Sequence, residues 1–499
     1  MPTTIDHWIG GKSAAGESGR LAPVWNPATG REQAQVRLAS SADVDAAVAA
    51  AAAAFQSWRH ESLTKRSRVM FRLRDLVERH ELELAKIIAA EHGKVVDDAR
   101  GEIVRGREVI EFACGVTSAL KGGLSVDVSG GVDSYDFREP LGVCAGVTPF
   151  NFPVMVPMWM HPVAIATGNT FVLKPSERDP SASRFIAELY ARAGLPDGVF
   201  NVVNGDKEAV DALLTNPDVA AVSFVGSTPI ARYIHEQATA NGKRVQALGG
   251  AKNHAVVLPD ANMDWAANQL AAAAFGSAGQ RCMAVSVAVA VGDAADELVD
   301  LLKVKAEAVA VGPGDDPESE MGPVVTRAAC DRVTGYIDSS LVQGATPVVD
   351  GRDLKIEGHQ DGFFVGPTVL DHVTPDMDVY QDEVFGPVLA VVRVETLEAA
   401  IDLINANPYG NGTAIFTFDG GAVRTFERGV DVGMIGVNVP IPVPNAHYSF
   451  GGWKDSLFGS SHIHGPEGVQ FYTRAKVVTA RWPKHTEAQA AQLNFPTSS

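Results

Sequence analysis

The stretch TFVLKPSERDPSASRFIAELYARAGLPDGVFNVVNGDKEAVDALLTNPDVAAVSFVGSTPIARYIHEQATANGKRVQAL, residues 170–248, decides the fold. It opens on the short apolar run Phe171-Val172-Leu173, a buried-strand pattern. Residues 180–193 then read as a helix that closes at Gly194. Residues 199–203 repeat the strand pattern, 207–214 the helix, 220–225 the strand. A helix over 229–238 ends near Asn241-Gly242, and 244–248 return to strand. Strict alternation of short apolar strands with amphipathic helices predicts a parallel sheet covered by helices, an α/β fold.

Working outward, a second strand-and-helix series runs from about residue 253 to 439. Before the decisive stretch, residues 41–58 begin with cap-type residues and continue into alanine, a strong helix pattern. Residues 67–90 form another amphipathic run. Alternation over 132–138, followed by 141–147, predicts two extended strands around a turn. Residues 471–481 also alternate and lie beyond the second series; a strand there would leave an unpaired edge in a monomer, which predicts pairing across subunits. Residues from about 484 onward are polar, which predicts a loosely ordered end. From Pro140 to Leu173 there is no Asp, Glu, Lys or Arg, long enough to span a bilayer. Pro149, Pro153, Pro157 and Pro162 interrupt it, and proline removes helical donors, so a buried strand and active-site loop are expected instead.

The chain has 499 residues, 46% of them hydrophobic and 20% charged, with a formal charge of -18. That length calls for two or three packed units. An acidic balance argues against a nucleic-acid partner, because phosphate binding needs a basic footprint. Cys114, Cys144, Cys282 and Cys330 lie far apart with no CxxC, so neither a disulfide framework nor a metal site is expected. The start, Met1-Pro-Thr-Thr-Ile-Asp, lacks a basic region followed by an apolar run. This predicts no secretory signal and a cytoplasmic location.

Three places carry candidate chemistry. Phe224-Val225-Gly226-Ser227-Thr228 stands where strand meets helix. Gly226 permits close backbone approach, and Ser227 with the first helical amides can donate to a phosphate. By themselves the same residues also make an ordinary turn and cap. Lys174-Pro175-Ser176-Glu177-Arg178 places a lysine and a carboxylate after a strand, suited to ribose hydroxyls or simply to a solvated loop. Cys282 lies in Gly276-Ser-Ala-Gly279-Gln280-Arg281-Cys282, after an alanine-rich helix over 265–275. Adjacent Arg281 favours a thiolate, though a lone cysteine in an apolar stretch is also a common core residue.

Taken in order, Pro149-Phe150-Asn151-Phe152-Pro153, the Lys174 to Glu177 loop, Phe224-Val225-Gly226-Ser227, Gly279-Gln280-Arg281-Cys282 and Glu383-Val384-Phe385-Gly386-Pro387 resemble the aldehyde dehydrogenase superfamily over nearly the whole chain. The resemblance implies an NAD-binding parallel-sheet domain (1–124 and 145–248) and an α/β catalytic domain (249–440). It adds a small oligomerisation β-arm (125–144 and 441–499), with part of 441–470 lining the active site. It implies Cys282 as nucleophile, with the Asn151 amide and the Cys282 backbone N–H on the oxyanion. Lys174 and Glu177 correspond to adenosine-ribose ligands, Ser227 to the pyrophosphate contact and Glu383 to the nicotinamide-ribose ligand. Thr148, Phe150, Arg178, Gly226, Gly249 and Phe385 would line the same cleft. Glu177 favours NAD over NADP, since a carboxylate repels a 2′-phosphate.

Hydrolytic members carry Glu-Leu-Gly-Gly-Lys, whose glutamate activates water. Here Gln246-Ala247-Leu248-Gly249-Gly250-Ala251-Lys252-Asn253-His254 offers Ala247 or Leu248 at that position, depending on alignment. No carboxylate is present, so water lacks its usual base. Together with Arg281 and Val437-Asn-Val-Pro-Ile-Pro-Val-Pro444, this resembles the methylmalonate-semialdehyde dehydrogenase family. That resemblance implies CoA as co-substrate and oxidation of malonate or methylmalonate semialdehyde to acetyl-CoA or propionyl-CoA with loss of CO2. It also places Arg105 and Arg281 around the substrate carboxylate, where forked guanidiniums pair bidentately. Read alone, Arg105 is a surface helix charge. A homodimer or homotetramer is expected, with no membrane partner. The alternative is a hydrolytic dehydrogenase of another small aldehyde.

Overall fold

A computed structural model describes residues 3–483 with 485 and 486; the expected loose end from 484 falls mostly outside the described residues. The decisive stretch folds as its alternation predicts. Strands Thr170–Lys174, Phe200–Val202, Val219–Val225 and Arg244–Leu248 alternate with helices Ser181–Arg192, Lys207–Thr215 and Thr228–Ala240. They build an eight-stranded sheet with a parallel centre. Strand Val143–Val147 lies between Thr170–Lys174 on one side and Val219–Val225 on the other. The chain therefore grows in one direction from Val143–Val147 and then returns to grow in the other. Such a reversal leaves a crevice at the carboxyl ends of the two strands, and Thr148 and Gly226 stand at those ends.

The second series forms a seven-stranded sheet centred on Asn253–Val257, Val285–Val291 and Val388–Val394, parallel except at Thr346–Val349. The chain passes from the last strand of the first series to Asn253–Val257 through Gly249 to Lys252. Cys282 precedes Val285–Val291 and Glu383 precedes Val388–Val394. Carboxyl ends of one sheet thus meet amino ends of the other, and the candidate residues gather at that seam.

Four expectations need correction. The uncharged run 140–173 holds a helix, Met155–Ala166, as well as strands, and every one of its residues is buried. Pro157 falls in the first turn, where no intrahelical donor is needed. Its first amides donate to Glu102 Oε1, from Val154 at 2.8 Å and Met155 at 3.1 Å. No helix among the described residues is long and apolar enough to cross a membrane. The run 67–90 is two helices, Leu63–Arg79 and Glu81–His92, broken at His80; the His80 ring is held by Glu83 at 2.8 Å and Arg192 at 2.9 Å. Strands 132–140 and 143–147 do not pair with each other. Val132–Pro140 belongs to a separate three-stranded sheet, between Leu124–Ser129 and Thr473–Arg481.

Thr473–Arg481, expected to find its partner on another subunit, pairs within the chain over nine residues, Thr473 opposite Pro140 through Arg481 opposite Val132. The corner between the two sheets is stitched by Asn169. Its Oδ1 accepts from Leu141 N–H at 2.7 Å and Gly142 N–H at 3.1 Å, while Nδ2 donates to the Tyr472 carbonyl at 2.9 Å.

Candidate active site

A cleft of about 690 Å³ opens at the seam. Thr148, Phe150, Asn151, Lys174, Glu177, Arg178, Gly226, Ser227, Gly249, Cys282, Glu383 and Phe385 all line it. These residues come from six separate parts of the chain, each at the end of a strand or in the loop that follows or precedes one. Volume and lining suit a small-molecule site.

On the first-sheet side, Lys174 Nζ donates to the Gly205 carbonyl at 2.9 Å and sits 3.3 Å from Glu177 Oε2. Arg178 lies over the Phe150 ring at 4.9 Å, and Phe150 meets Phe385 edge to face at 5.9 Å. Ser227 is the N-cap residue of Thr228–Ala240, yet its hydroxyl makes no cap bond. The buried Thr148 hydroxyl also lacks a partner. Asn151 is held from behind. Its backbone carbonyl accepts from Lys94 Nζ at 2.7 Å, and Lys94, wholly buried, pairs with Glu102 at 2.8 Å. That leaves the Asn151 side chain for the cleft.

Cys282 is partly exposed, whereas Cys114, Cys144 and Cys330 are buried. Its loop is tightly seated. Ser277, Ala278 and Gly279 have φ of 54, 50 and 69°, and a Cβ on Gly279 would come within 2.1 Å of the Gly386 carbonyl oxygen. The loop therefore packs directly on the segment that carries Glu383 and Phe385. Phe385 itself has φ of 53°, an uncommon conformation for a bulky residue. Burial pushes the Cys282 thiol up to about 12, helped by the Glu383 charge; backbone N–H groups of Cys282 and Met283, and last Arg281, pull the other way. Arg281 is thus a weaker thiolate promoter than its adjacency suggests, because its guanidinium pairs with Asp98 at 2.5 Å.

Glu383 accepts from Ala251 N–H at 3.0 Å, and burial raises its carboxyl to about 7. Lys252, buried, donates to the carbonyls of Val379 at 2.5 Å and Asp382 at 2.7 Å, clamping the turn before Glu383. Leu248 and Ala247 face opposite ways, as neighbours on a strand must. Leu248 joins the apolar cluster on which Cys282 packs, and Ala247 joins the one beneath the other face. Leu248 thus shares an apolar cluster with Cys282, and Ala247 does not.

Two expected residues are not in the cleft lining. Arg105 pairs with Glu108 at 2.6 Å and donates to the carbonyls of Val443 and Pro444 at 3.2 and 2.8 Å. Arg281 borders a smaller void of about 10 Å³ that also touches Glu383 and Lys252. No residue of 441–470 lines the cleft either. Ser456 instead backs it, accepting at its carbonyl from Gly249 N–H at 3.0 Å and donating from its hydroxyl to the Gly250 carbonyl at 2.7 Å. Sequence reading missed Arg332 and Tyr336, which line the cleft from helix Arg327–Gln343. Their one signal was the four-residue spacing that puts both on one helical face. Tyr336 donates to Asp382 at 3.0 Å and Arg332 to the Val384 carbonyl at 3.4 Å, bracketing Glu383.

An aldehyde dehydrogenase family model matches residues 14–478. The chain belongs to the aldehyde dehydrogenase family. It is 54% identical over 495 residues to the malonate-semialdehyde dehydrogenase of Pseudomonas aeruginosa, covering 99% of both chains. A methylmalonate-semialdehyde dehydrogenase structure from Oceanimonas doudoroffii is similar at TM-score 0.95 and 58% identity, over 97% of this chain and 99% of that one. A Sinorhizobium meliloti structure complexed with NAD, provisionally assigned to the same activity, is similar at TM-score 0.96 and 52% identity, covering 97% and 99%. Family membership extends over the cleft and both sheets.

Proposed function

We propose that the chain is an NAD-dependent, CoA-acylating dehydrogenase of malonate or methylmalonate semialdehyde, with Cys282 as nucleophile. The observation that carries this reading is that neither Ala247 nor Leu248, of which Leu248 shares an apolar cluster with Cys282, supplies the carboxylate that a hydrolytic enzyme needs. Among the described residues that line the cleft, the carboxylates are Glu177 and Glu383. High identity to relatives that bear the semialdehyde name supports the substrate class.

The cleft fits a dinucleotide. The uncapping Ser227 hydroxyl and the helix amides behind it suit a pyrophosphate, and the unpartnered Thr148 hydroxyl is free for a ligand. Lys174 and Glu177 would hold the adenosine ribose, and Glu383 the other one. NAD+ supplies the hydride acceptor. The Cys282 thiolate adds to the aldehyde carbon, moving the carbonyl electron pair onto oxygen. The Asn151 amide and the Cys282 N–H donate to that oxyanion, each contributing about 3 kcal/mol at a preorganised site. Loss of hydride leaves a thioester on Cys282. The β-carboxylate then departs as CO2, its bonding electrons passing into the thioester carbonyl before a proton restores the acyl group. A CoA thiolate attacks the thioester carbon and expels the Cys282 thiolate, giving acetyl-CoA or propionyl-CoA.

Arg105 and Arg281 would receive the substrate carboxylate by exchanging the partners they now hold. For assembly we propose a dimer or dimer of dimers. Along residues 473–480 the outer edge of strand Thr473–Arg481 carries no strand partner among the described residues and its Val477 is 72% exposed, while Leu124 and Val126, on the strand at the opposite edge of the same sheet, are 67% and 70% exposed. An open apolar edge is what a second copy would cover; sedimentation as a stable monomer at micromolar concentration would count against it. Mass spectrometry of products from a semialdehyde panel, with NAD+ and CoA supplied, tests the reaction. CoA thioesters are expected, and free acids would favour the hydrolytic reading.

A further inference from the structure

The segment Gly250-Ala251-Lys252-Asn253-His254 keeps one residue that the reaction as described leaves without a part. Asn253 is 4% exposed and uses its whole amide. Its Nδ2 donates to the Cys282 carbonyl at 3.0 Å and to the Ala284 carbonyl at 3.0 Å, and its Oδ1 accepts from Gly412 N–H at 3.1 Å. The strand pairing shifts register between Asn253 and His254, so the side chain takes over where the backbone ladder lapses. From the bend just before the neighbouring strand Gly412–Phe416, Asn411, 6% exposed, donates to the same Cys282 carbonyl at 3.1 Å and to Met283 Sδ at 2.9 Å.

Two amides on one carbonyl fix the peptide that joins Cys282 to Met283. A trans peptide is planar, with C=O and N–H pointing in opposite directions. Holding the oxygen toward Asn253 and Asn411 therefore turns the Met283 N–H the other way. We infer that Asn253 and Asn411 are positioning residues for Cys282, aiming the Met283 N–H at its sulfur. The Met283 N–H is among the groups that bond to the sulfur and favour its thiolate. The charged groups facing that sulfur are Glu383, which disfavours the thiolate, and Arg281, which favours it; neither bonds to these two asparagines. The inference rests on Cys282 being the nucleophile, and goes beyond that reading by naming what sets its readiness.

The test is the pH dependence of Cys282 alkylation by iodoacetamide in the full-length protein, followed at the Cys282 peptide by mass spectrometry. For Asn253→Ala and Asn411→Ala the midpoint of the pH–rate profile should rise by about one unit, read between about pH 7 and 9, below that midpoint, as about tenfold slower alkylation at each pH. A merely structural role would leave that midpoint in place. If Asn253→Ala fails to fold, Asn411→Ala decides, since it removes one of the two donors and leaves the Ala284 and Gly412 bonds intact. A folded variant with the wild-type midpoint overturns the inference. Retained NADH formation by Cys282→Ala would overturn the nucleophile reading instead, and the alkylation midpoint would still report on the aiming.

Discussion

The two sides of Cys282 are built differently. On the cofactor side the polar groups are anchored by their backbones at strand ends and leave atoms unused, such as the Thr148 and Ser227 hydroxyls. On the side proposed for the substrate carboxylate, the guanidiniums of Arg105 and Arg281 already hold Glu108, Asp98 and two carbonyls. One side is open and preorganised. The other, on the proposed reading, would have to trade partners to bind, with part of its binding energy going into releasing Asp98 and Glu108.

Removing what both sides serve gives the largest effect. Cys282→Ala should lower NADH formation by roughly 10⁴-fold or more, the scale seen when a nucleophile is deleted, with NAD binding intact by fluorescence titration. Alanine at Cys114, Cys144 or Cys330 should keep most activity. Turnover in Cys282→Ala would make the comparison meaningless, because neither side would then face the chemistry.

That asymmetry also decides what the sequence reveals. Phe224 to Thr228 and Lys174 to Arg178 are read easily because strand ends dictate where such residues stand, and Val225, Gly226, Ser227, Lys174, Ser176, Glu177 and Arg178 all line one cleft. Arg105 and Arg281 can be named from a motif, and the Arg105 pair with Glu108 is a local three-residue spacing within helix Val96–Cys114; but the Arg105 bonds to the Val443 and Pro444 carbonyls, and the Arg281 pair with Asp98, depend on how that helix lies against distant segments. No local pattern encodes that. Arg332 and Tyr336 sit on a helix far from any motif, and only tertiary packing delivers them. The helix Met155–Ala166 was hidden by its prolines, since Glu102, more than fifty residues earlier, supplies its cap.

The carboxylate side should show itself by substrate discrimination. Arg105→Ala or Arg281→Ala should lower kcat/KM for malonate semialdehyde about 10- to 100-fold, the value of a charge-assisted bond, with little change for propanal. Asp98→Asn is the sharper variant. By loosening the hold on Arg281 it should lower KM for the semialdehyde a few-fold. An unchanged or higher KM would mean that Arg281 does not trade partners.

On the cofactor side pH is the probe. Burial holds the Glu383 carboxyl up to about 7, so its carboxylate fraction grows as pH rises through that value. Ribose hydroxyls donate to a carboxylate, so NAD should bind more tightly with rising pH and level off above about pH 8, by up to about tenfold overall. Glu383→Gln should flatten the curve. A wild-type Kd independent of pH between 6 and 8 would remove Glu383 from the ribose.

The smallest effect is expected from restoring what is missing. Leu248→Glu should raise the CoA-independent rate a few-fold, limited because burial keeps a carboxyl there partly protonated. If Ala247→Glu does so and Leu248→Glu does not, the facing of these two residues toward Cys282 has been read the wrong way round.

The central claim, that CoA rather than water discharges the Cys282 thioester, is tested most directly by stopped-flow NADH formation with malonate semialdehyde and no CoA. The account predicts a burst of about one NADH per active site followed by a slow phase, and full turnover when CoA is added, because a thiol is the stronger nucleophile where no base is positioned for water. Steady turnover at the full rate without CoA, with release of free acid, would contradict it.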